Sequence, residues 1–491
     1  MLRRPAALRA AAALALAVAG LLWLGPRPGL ADADGTEART VAAVQEILDD
    51  PDLPTAHWGL LVQDARTGRV VLSRNAQKSF LPASTLKLLT TAAALDRLGT
   101  DFRYTTRLYQ FGRVAPDGTL RGDLVVRGAG DPTFGSETDP LEAWAEALAA
   151  SGLRRVEGRI VGDDDAFEDA RYSDGWDVSH IATESYAPAS GGLAWDDNLL
   201  SIRIEAGAPG GPARFESIPA GFATVRGTPT TQRGRGRLVI DRTLGTDEFA
   251  LRGGVPAGYR GALQVPVANP TLYAVHAFAE RLAEAGVDVS DAALVDVDDL
   301  DAPLDYTDVE PIQTARSPRL AEIVERVNVE SDNLYAEHLF RTLGDGTVDD
   351  AADAVEAFVE RAGADPDGLR IADGSGLSRK DLVTPEALAA VLREMRRHPA
   401  GAAFRSSLPG GGAEGSTLRS RLDDVPVRAK TGSLLGVRCL AGYVRGPEGA
   451  PYVFVLMANH YTERGGPIAR AQDAIVRALA TGERPPVEED E

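Results

Sequence analysis

The sequence predicts an α+β fold in which both ends of the chain build one sheet and a β-rich block is inserted between them. Three observations predict it. A hairpin pattern spans residues 57–73 around Asp64-Ala-Arg-Thr-Gly68. The chain closes with strand patterns at 425–431, 437–444 and 452–458 and a helical pattern at 467–480. Between residues 102 and 307, short apolar runs broken by Gly, Pro and Asp replace helical spacing. A chain of 491 residues is expected to divide into more than one domain.

In chain order, the first 31 residues hold Arg3, Arg4, Arg9 and Arg27 and no acid, with an apolar run at 10–24 that stops at Gly25-Pro26. This is the layout of a secretory leader, with Ala31 and Ala33 as cleavage points. The run is shorter than the roughly 20 residues a spanning helix needs, although an uncleaved N-terminal anchor is the competing reading. An exported protein, soluble or peripheral in the extracytoplasmic envelope or periplasm, is expected. A helical stretch at 40–48 leads into the hairpin. Residues 84–98 then lack Gly and Pro and carry apolar residues at helical spacing, which predicts a buried helix starting near Ser84, just after Pro82. The middle block offers strand patterns at 124–127, 199–205, 237–240 and 262–267, and one long helix at 271–285. Helices return at 320–327, 334–343, 349–362 and 384–397.

Composition narrows the chemistry. The formal charge is −20 and becomes −24 without the leader, which argues against nucleic acid as a partner. Cys439 is the single cysteine, so no internal disulfide forms, and its apolar surroundings read as a buried strand position. Only four of the 52 basic residues are lysines: Lys78, Lys87, Lys380 and Lys430. Lysine, unlike arginine, can lose its proton when desolvated and act as a base. Retained lysines in so arginine-biased a chain are therefore candidates for chemistry.

Two of them fall in short motifs. Ser84-Thr-Leu-Lys87, Ser331-Asp-Asn333 and Lys430-Thr-Gly432 occur in that order. Singly, each has an ordinary reading: a helix cap with a solvated lysine, a loop or cap, and a strand end followed by a turn. Together they form a consistent site. Serine and lysine three apart share a helix face, and a buried lysine can accept the serine proton. Ser331 adds a hydroxyl, Asn333 an amide, and Lys430-Thr431 a cation and hydroxyl beside a glycine that admits a substrate backbone. No Gly-x-Ser-x-Gly or His-Glu-x-x-His occurs, which disfavours a Ser-His-Asp hydrolase and a zinc peptidase; neither metal nor cofactor is expected.

The trio resembles that of the D-alanyl-D-alanine carboxypeptidase/endopeptidase family, the class C low-molecular-mass penicillin-binding proteins. Between Ser84 and Ser331, 247 positions elapse, where a class A β-lactamase has only a short helical segment. Gly128-Ala-Gly-Asp-Pro-Thr133, Tyr186-Ala-Pro-Ala-Ser190, Asp196-Asp-Asn198 and Asp373-Gly-Ser-Gly-Leu-Ser378 match as well. The resemblance implies a penicillin-binding/serine β-lactamase-like α/β sandwich (38–105 and 308–484) with two inserted β-rich domains, one from 106–190 and 265–307, the other from 191–264. It implies a serine carboxypeptidase, and a DD-endopeptidase, acting on peptidoglycan peptides and acylated by β-lactam antibiotics. Ser84 would be the nucleophile and Lys87 its base. Ser331 and Lys430 would relay the proton to the leaving amine, Asn333 would hold the peptide, and Lys430, Thr431 and Ser433 would bind the terminal carboxylate. The N–H groups of Ser84 and Ser433 would form the oxyanion hole. Arg379 would face the substrate side chain, with an acid from Asp163, Asp164, Asp165 or Asp169 completing its pocket. A non-catalytic envelope-binding protein on the same fold is the alternative of another class.

Overall fold

The computed structural model describes residues 35–485 apart from 52, 54, 55, 137, 138, 463 and 464. The leader read from residues 1–31 lies outside the described residues. No helix among the described residues is long and apolar enough to cross a membrane.

Both chain ends meet in an antiparallel sheet of five strands, ordered Val427–Leu434, Val437–Arg445, Pro451–Asn459, His57–Asp64 and Val70–Arg74. The first strand of the chain pairs with the last, Leu60 opposite Leu456 and His57 opposite Asn459. Beyond their first residues, both of these central strands are buried throughout rather than alternately, so the sheet is covered on both faces. Helices Thr36–Leu48 and Gly466–Thr481 cover one face, burying Val44, Ile475 and Val476 against Leu60 and Leu456. Helices Lys87–Leu98, Leu320–Val329, Asn333–Leu343, Val348–Arg361 and Pro385–Met395 cover the other with Leu88, Leu339, Val355 and Leu392. Each such side chain contributes roughly 1.5–3 kcal/mol on burial.

The helices start where local chemistry permits. The Asp332 carboxylate accepts from Tyr335 N at 3.1 Å, and Thr384 Oγ1 accepts from Ala387 N at 3.1 Å with Pro385 in the first turn. The last helix ends at Gly482, whose φ of 81° is left-handed.

Between these halves lies a mixed sheet of six strands. Ala293–Asp296, Arg159–Asp163, Thr119–Arg127, Thr105–Val114 and Gln313–Arg316 run side by side, with Arg155–Glu157 next to Thr119–Arg127. This sheet takes in Gln313–Arg316, past the boundary expected at 307. Strands between residues 199 and 266 form two smaller sheets, a three-stranded one around Leu199–Glu205 and a four-stranded one around Glu248–Pro256.

Helix Pro270–Glu284 falls where the periodicity predicts it, but it is not the one long helix of the block. Pro140–Ala150 is a second, capped by Asp139, whose side chain accepts from Glu142 N at 3.1 Å. Asp139 also pairs with Arg281 at 2.7 Å and so ties the two helices together.

Candidate active site

Ser84 sits in a tight turn rather than in the α-helix itself. Ala83–Leu86 is a 3-10 turn, the α-helix begins at Lys87, and Ala83 takes a left-handed φ of 45°. In 3-10 geometry, side chains three apart eclipse one another. The Lys87 ammonium is accordingly 3.0 Å from Ser84 Oγ.

Lys87 is fully buried and donates to two further acceptors, Asn333 Oδ1 at 2.6 Å and Ser375 O at 2.7 Å. The other end of the Asn333 amide donates to Tyr186 O at 2.6 Å, which fixes its orientation. Burial lowers the Lys87 pKa to about 8, against the opposing pull of Asp373, Glu337, Asp332 and Asp381. When the amine is neutral, its two N–H groups keep Asn333 and Ser375, and the lone pair is left facing the serine hydroxyl.

The Ser375 carbonyl is held by buried carboxylates. Asp373 accepts from the backbone N–H of Ser375, Gly376 and Ser378 at 3.1, 2.6 and 2.8 Å and from Trp176 Nε1 at 2.8 Å. Glu337 accepts from Gly374 N at 2.9 Å, Ser375 N at 3.0 Å and Ser173 Oγ at 2.9 Å. Burial, reinforced by Asp373, raises the Glu337 carboxyl and holds Asp381 well above the ordinary range. Gly376 has a φ of 80°, and a Cβ there would come within 2.0 Å of Ala83 O, so the loop needs glycine to touch the Ser84 turn.

The opposite wall is the edge strand Val427–Leu434. Lys430 is fully buried, with Nζ 3.3 Å from Thr431 O; burial first, then the nearby Lys87, holds its pKa well below the ordinary value. A Cβ on Gly432 would lie 2.7 Å from Pro82 O and 3.1 Å from Ser84 N, so the strand passes against the Ser84 turn. Thr431 Oγ1 is 2.7 Å from Thr417 Oγ1, and Ser433 is exposed. Ser331 takes a left-handed φ of 67° just before the Asp332 cap, and among the described residues its hydroxyl makes no hydrogen bond.

Residues 40–481 match the model of the D-Ala-D-Ala carboxypeptidase 3 (S13) family. The chain belongs to that family. A D-alanyl-D-alanine carboxypeptidase of Actinomadura sp. (strain R39) is 34% identical, the match covering 97% of this chain and 91% of that protein. The DacB D-alanyl-D-alanine carboxypeptidase of Haemophilus influenzae is 25% identical over 82% of this chain and 85% of its own. The crystal structure of penicillin binding protein 4 from Haemophilus influenzae superposes with a TM-score of 0.77 at 23% identity, covering 89% of this chain and 99% of that one. This S13 protein is a serine-type D-Ala-D-Ala carboxypeptidase with the α+β penicillin-binding fold.

Arg379 is exposed and donates to Leu435 O at 2.8 Å, which ties the loop after Ser378 to the tip of the edge strand. Of the four acids expected near it, Asp169 is exposed. Asp163 accepts from the Tyr306 hydroxyl and pairs with Arg127 at 3.4 Å, and Asp164 accepts from Thr271 Oγ1 at 2.5 Å. Asp165 N donates to Asp163 Oδ1 at 3.2 Å. Asp174 pairs with Lys380, the residue after Arg379, and Asp177 is within the electrostatic reach of Arg379. Among the described residues, one group of carboxylates could hold a cation, Asp164, Asp296 and Asp298, at and just past the ends of the adjoining strands Arg159–Asp163 and Ala293–Asp296.

Sequence reasoning also missed Glu337, Asp381 and the Tyr186 and Ser375 carbonyls. Glu337 could have been found, since it lies four residues after Asn333 on one helix face. Carbonyl acceptors leave no trace in residue type. One structural expectation agrees with the geometry: Cys439 is fully buried, with its thiol pushed up to about 12 by burial. His338 is also buried, with Nδ1 3.0 Å from Gly130 O.

Proposed function

We propose that the enzyme cleaves D-Ala-D-Ala termini, and peptide cross-links, of peptidoglycan through an acyl-enzyme on Ser84. The observation that carries this reading is Lys87: buried, brought to about 8, and bonded at once to Ser84, Asn333 and the Ser375 carbonyl. Neutral Lys87 takes the Ser84 proton as Oγ attacks the carbonyl carbon of the penultimate D-Ala. The N–H groups of Ser84 and Ser433 receive the developing oxyanion. The proton returns to the leaving amine through Ser331 and Lys430, and water then releases the acyl group.

Substrate binding follows the edge strand. At its start, Ala429 N bonds Pro409 O at 3.1 Å and Arg428 bridges Gly410, so the edge is occupied up to residue 429. From Lys430 onward an extended peptide can add as a further strand. Its terminal carboxylate would meet Lys430, Thr431 and Ser433, and that anion favours the protonated form of Lys430 against the burial that lowers it. Asn333 would hold the acyl side. Arg379, with Asp174 and Asp177, would border the substrate side chain.

We assign residues 106–190 with 265–307, and residues 191–264, to two inserted domains. The first sends Ser173, Trp176 and Tyr186 to the site. Residues 1–31 serve as an export leader. β-Lactams acylate Ser84, in keeping with the Haemophilus influenzae penicillin binding protein 4 solved with a β-lactam.

Intact-mass analysis with and without benzylpenicillin, followed by peptide mapping, tests the reading. One adduct per chain on the peptide containing Ser84 is expected. A folded sample with neither adduct nor β-lactam turnover would favour the envelope-binding alternative. Release of monomers from cross-linked dimeric stem peptides checks the endopeptidase activity.

A further inference from the structure

The edge strand that carries Lys430 begins in a second cleft. A cavity of about 1100 Å³ opens at the end of the five-stranded sheet, and neither Ser84, Lys87 nor Lys430 lines it. Five arginines do: Arg66, Arg396, Arg405, Arg428 and Arg445, against one acid, Glu448. In a chain with a formal charge of −20, this is a reversal of sign.

The arginines are not spent on carboxylates. Arg66 lies 3.7 Å from Asp64, but Arg396, Arg405, Arg428 and Arg445 have no acid within ion-pair distance among the described residues. Two of them cap helix ends. Arg405 reaches Met395 O and Arg396 O at 3.0 and 3.1 Å, and Arg428 reaches Leu408 O and Ser406 O at 2.8 and 3.3 Å. All four bonds use Nη1, so Nε and Nη2 of both remain available. Burial raises the Tyr443 hydroxyl while Arg405 and Arg396 pull it down, which brings both cations to one phenol. Gathering like charges without a counter-charge is unfavourable, and an anion in the cleft removes the penalty.

The walls add a second requirement. Tyr443 and Tyr452 line the cleft, together with Pro426, Pro447 and Pro451. Flat apolar rings beside guanidinium forks suit a sugar bearing carboxylate or phosphate groups. The volume of about 1100 Å³ is just above the range of roughly 300–1,000 Å³ usual for a single small ligand, which fits several residues of a polymer. Arg428 and Lys430 are two positions apart on one strand, roughly 7 Å, so a strand held here would lie beside the reaction.

We propose that this cleft binds a segment of an anionic glycan and thereby docks the enzyme on a wall polymer while the neighbouring site works on its peptides. A carboxylate-bearing glycan meets both requirements, its rings at the tyrosines and its acid groups at the guanidinium forks, whereas a phosphodiester polymer without sugar rings meets only the second.

The test measures binding to polygalacturonate, poly(glycerol phosphate) and neutral dextran over a range of salt concentrations. It uses the full chain carrying Ser84→Ala, so that acylation plays no part, with and without Arg396→Gln/Arg445→Gln. Neither of those two side chains makes a hydrogen bond within the described protein. Polygalacturonate is expected to bind, and more tightly than poly(glycerol phosphate), while dextran is not; tighter binding of poly(glycerol phosphate) would overturn the glycan assignment. The double variant should bind at least tenfold more weakly, with the slope of log affinity against log salt reduced by about two. With Ser84 restored, it should still hydrolyse a short D-Ala-D-Ala peptide at the normal rate. Equal binding by the double variant, equal binding of dextran, no binding of either polyanion, or loss of short-peptide hydrolysis would overturn the proposal. Because the binding assay does not need Ser84 chemistry, failure here and failure of the acyl-enzyme reading are separate results.

Discussion

The five-stranded sheet and the small sheets between residues 199 and 266 solve different problems with similar strands. In the first, Trp58 to Asp64 and Tyr452 to Asn459 are buried at every position. In the second, Leu199–Glu205 alternates between buried and less buried positions, and Arg260–Pro266 exposes every other residue over its first five. A sheet covered on both faces can place Lys87 and Lys430 where neither meets water, and dehydration converts a lysine into a base. A sheet wet on one face cannot. The comparison assigns the chemistry to the first region and a supporting role to the second, and substitutions in each should differ in kind.

The largest effect is expected at Lys87. Lys87→Arg keeps a cation that cannot accept the serine proton, so β-lactam acylation should fall by about 10²–10⁴-fold. Stopped-flow acylation measures this, and circular dichroism checks that the chain is folded. Gly432→Ala should come next. The added methyl meets backbone atoms of the nucleophile turn, which cannot swing aside. A displacement of about 1 Å there costs on the order of 10²-fold, with roughly 1–3 kcal/mol of stability lost to overpacking. Glu337→Gln should act more gently. It removes one of the carboxylates that favour protonated Lys87, so the pH midpoint of acylation should move down while the plateau rate changes little. An unchanged midpoint would show that Glu337 only braces the loop. The smallest effect belongs to the one-sided sheets. Glu205→Gln breaks an exposed pair with Arg260 at 2.8 Å and should change stability by less than about 1 kcal/mol, leaving acylation as it was. A large loss of acylation from Glu205→Gln would undo the regional assignment.

The same contrast governs what the sequence reveals. The continuous apolar strands and strongly periodic helices of the first region are legible because burial on both sides leaves little freedom in residue choice. Their ends are less so: the edge strand runs through the Lys430 motif to Leu434, beyond the expected end at 431. In the inserted block, Pro140–Ala150 went unrecognised although Asp139-Pro140 is a helix-start signal. At the site, Ser84, Lys87 and Asn333 are found bonded together, because residue type and order carry that information. The left-handed Ala83 and Ser331 and the carbonyl of Ser375 were hidden, since a tertiary contact rather than local preference dictates them. The spacing of Glu337 from Asn333 places it on the helix face that meets the site, and packing reveals the loop it holds. Asp163 to Asp165 cluster in sequence, whereas the nearness of Asp177 to Arg379 is a relation in space that residue order does not show.

If a dehydrated, neutral Lys87 activates Ser84, acylation must follow the Lys87 proton. The most direct measurement is the second-order rate of Ser84 acylation by benzylpenicillin from pH 5 to 10. The rate should rise with pH through a midpoint near the Lys87 value of about 8 and then level, with the rise absent in Lys87→Arg. A rate independent of pH across that range, or the same rise persisting in Lys87→Arg, would contradict it.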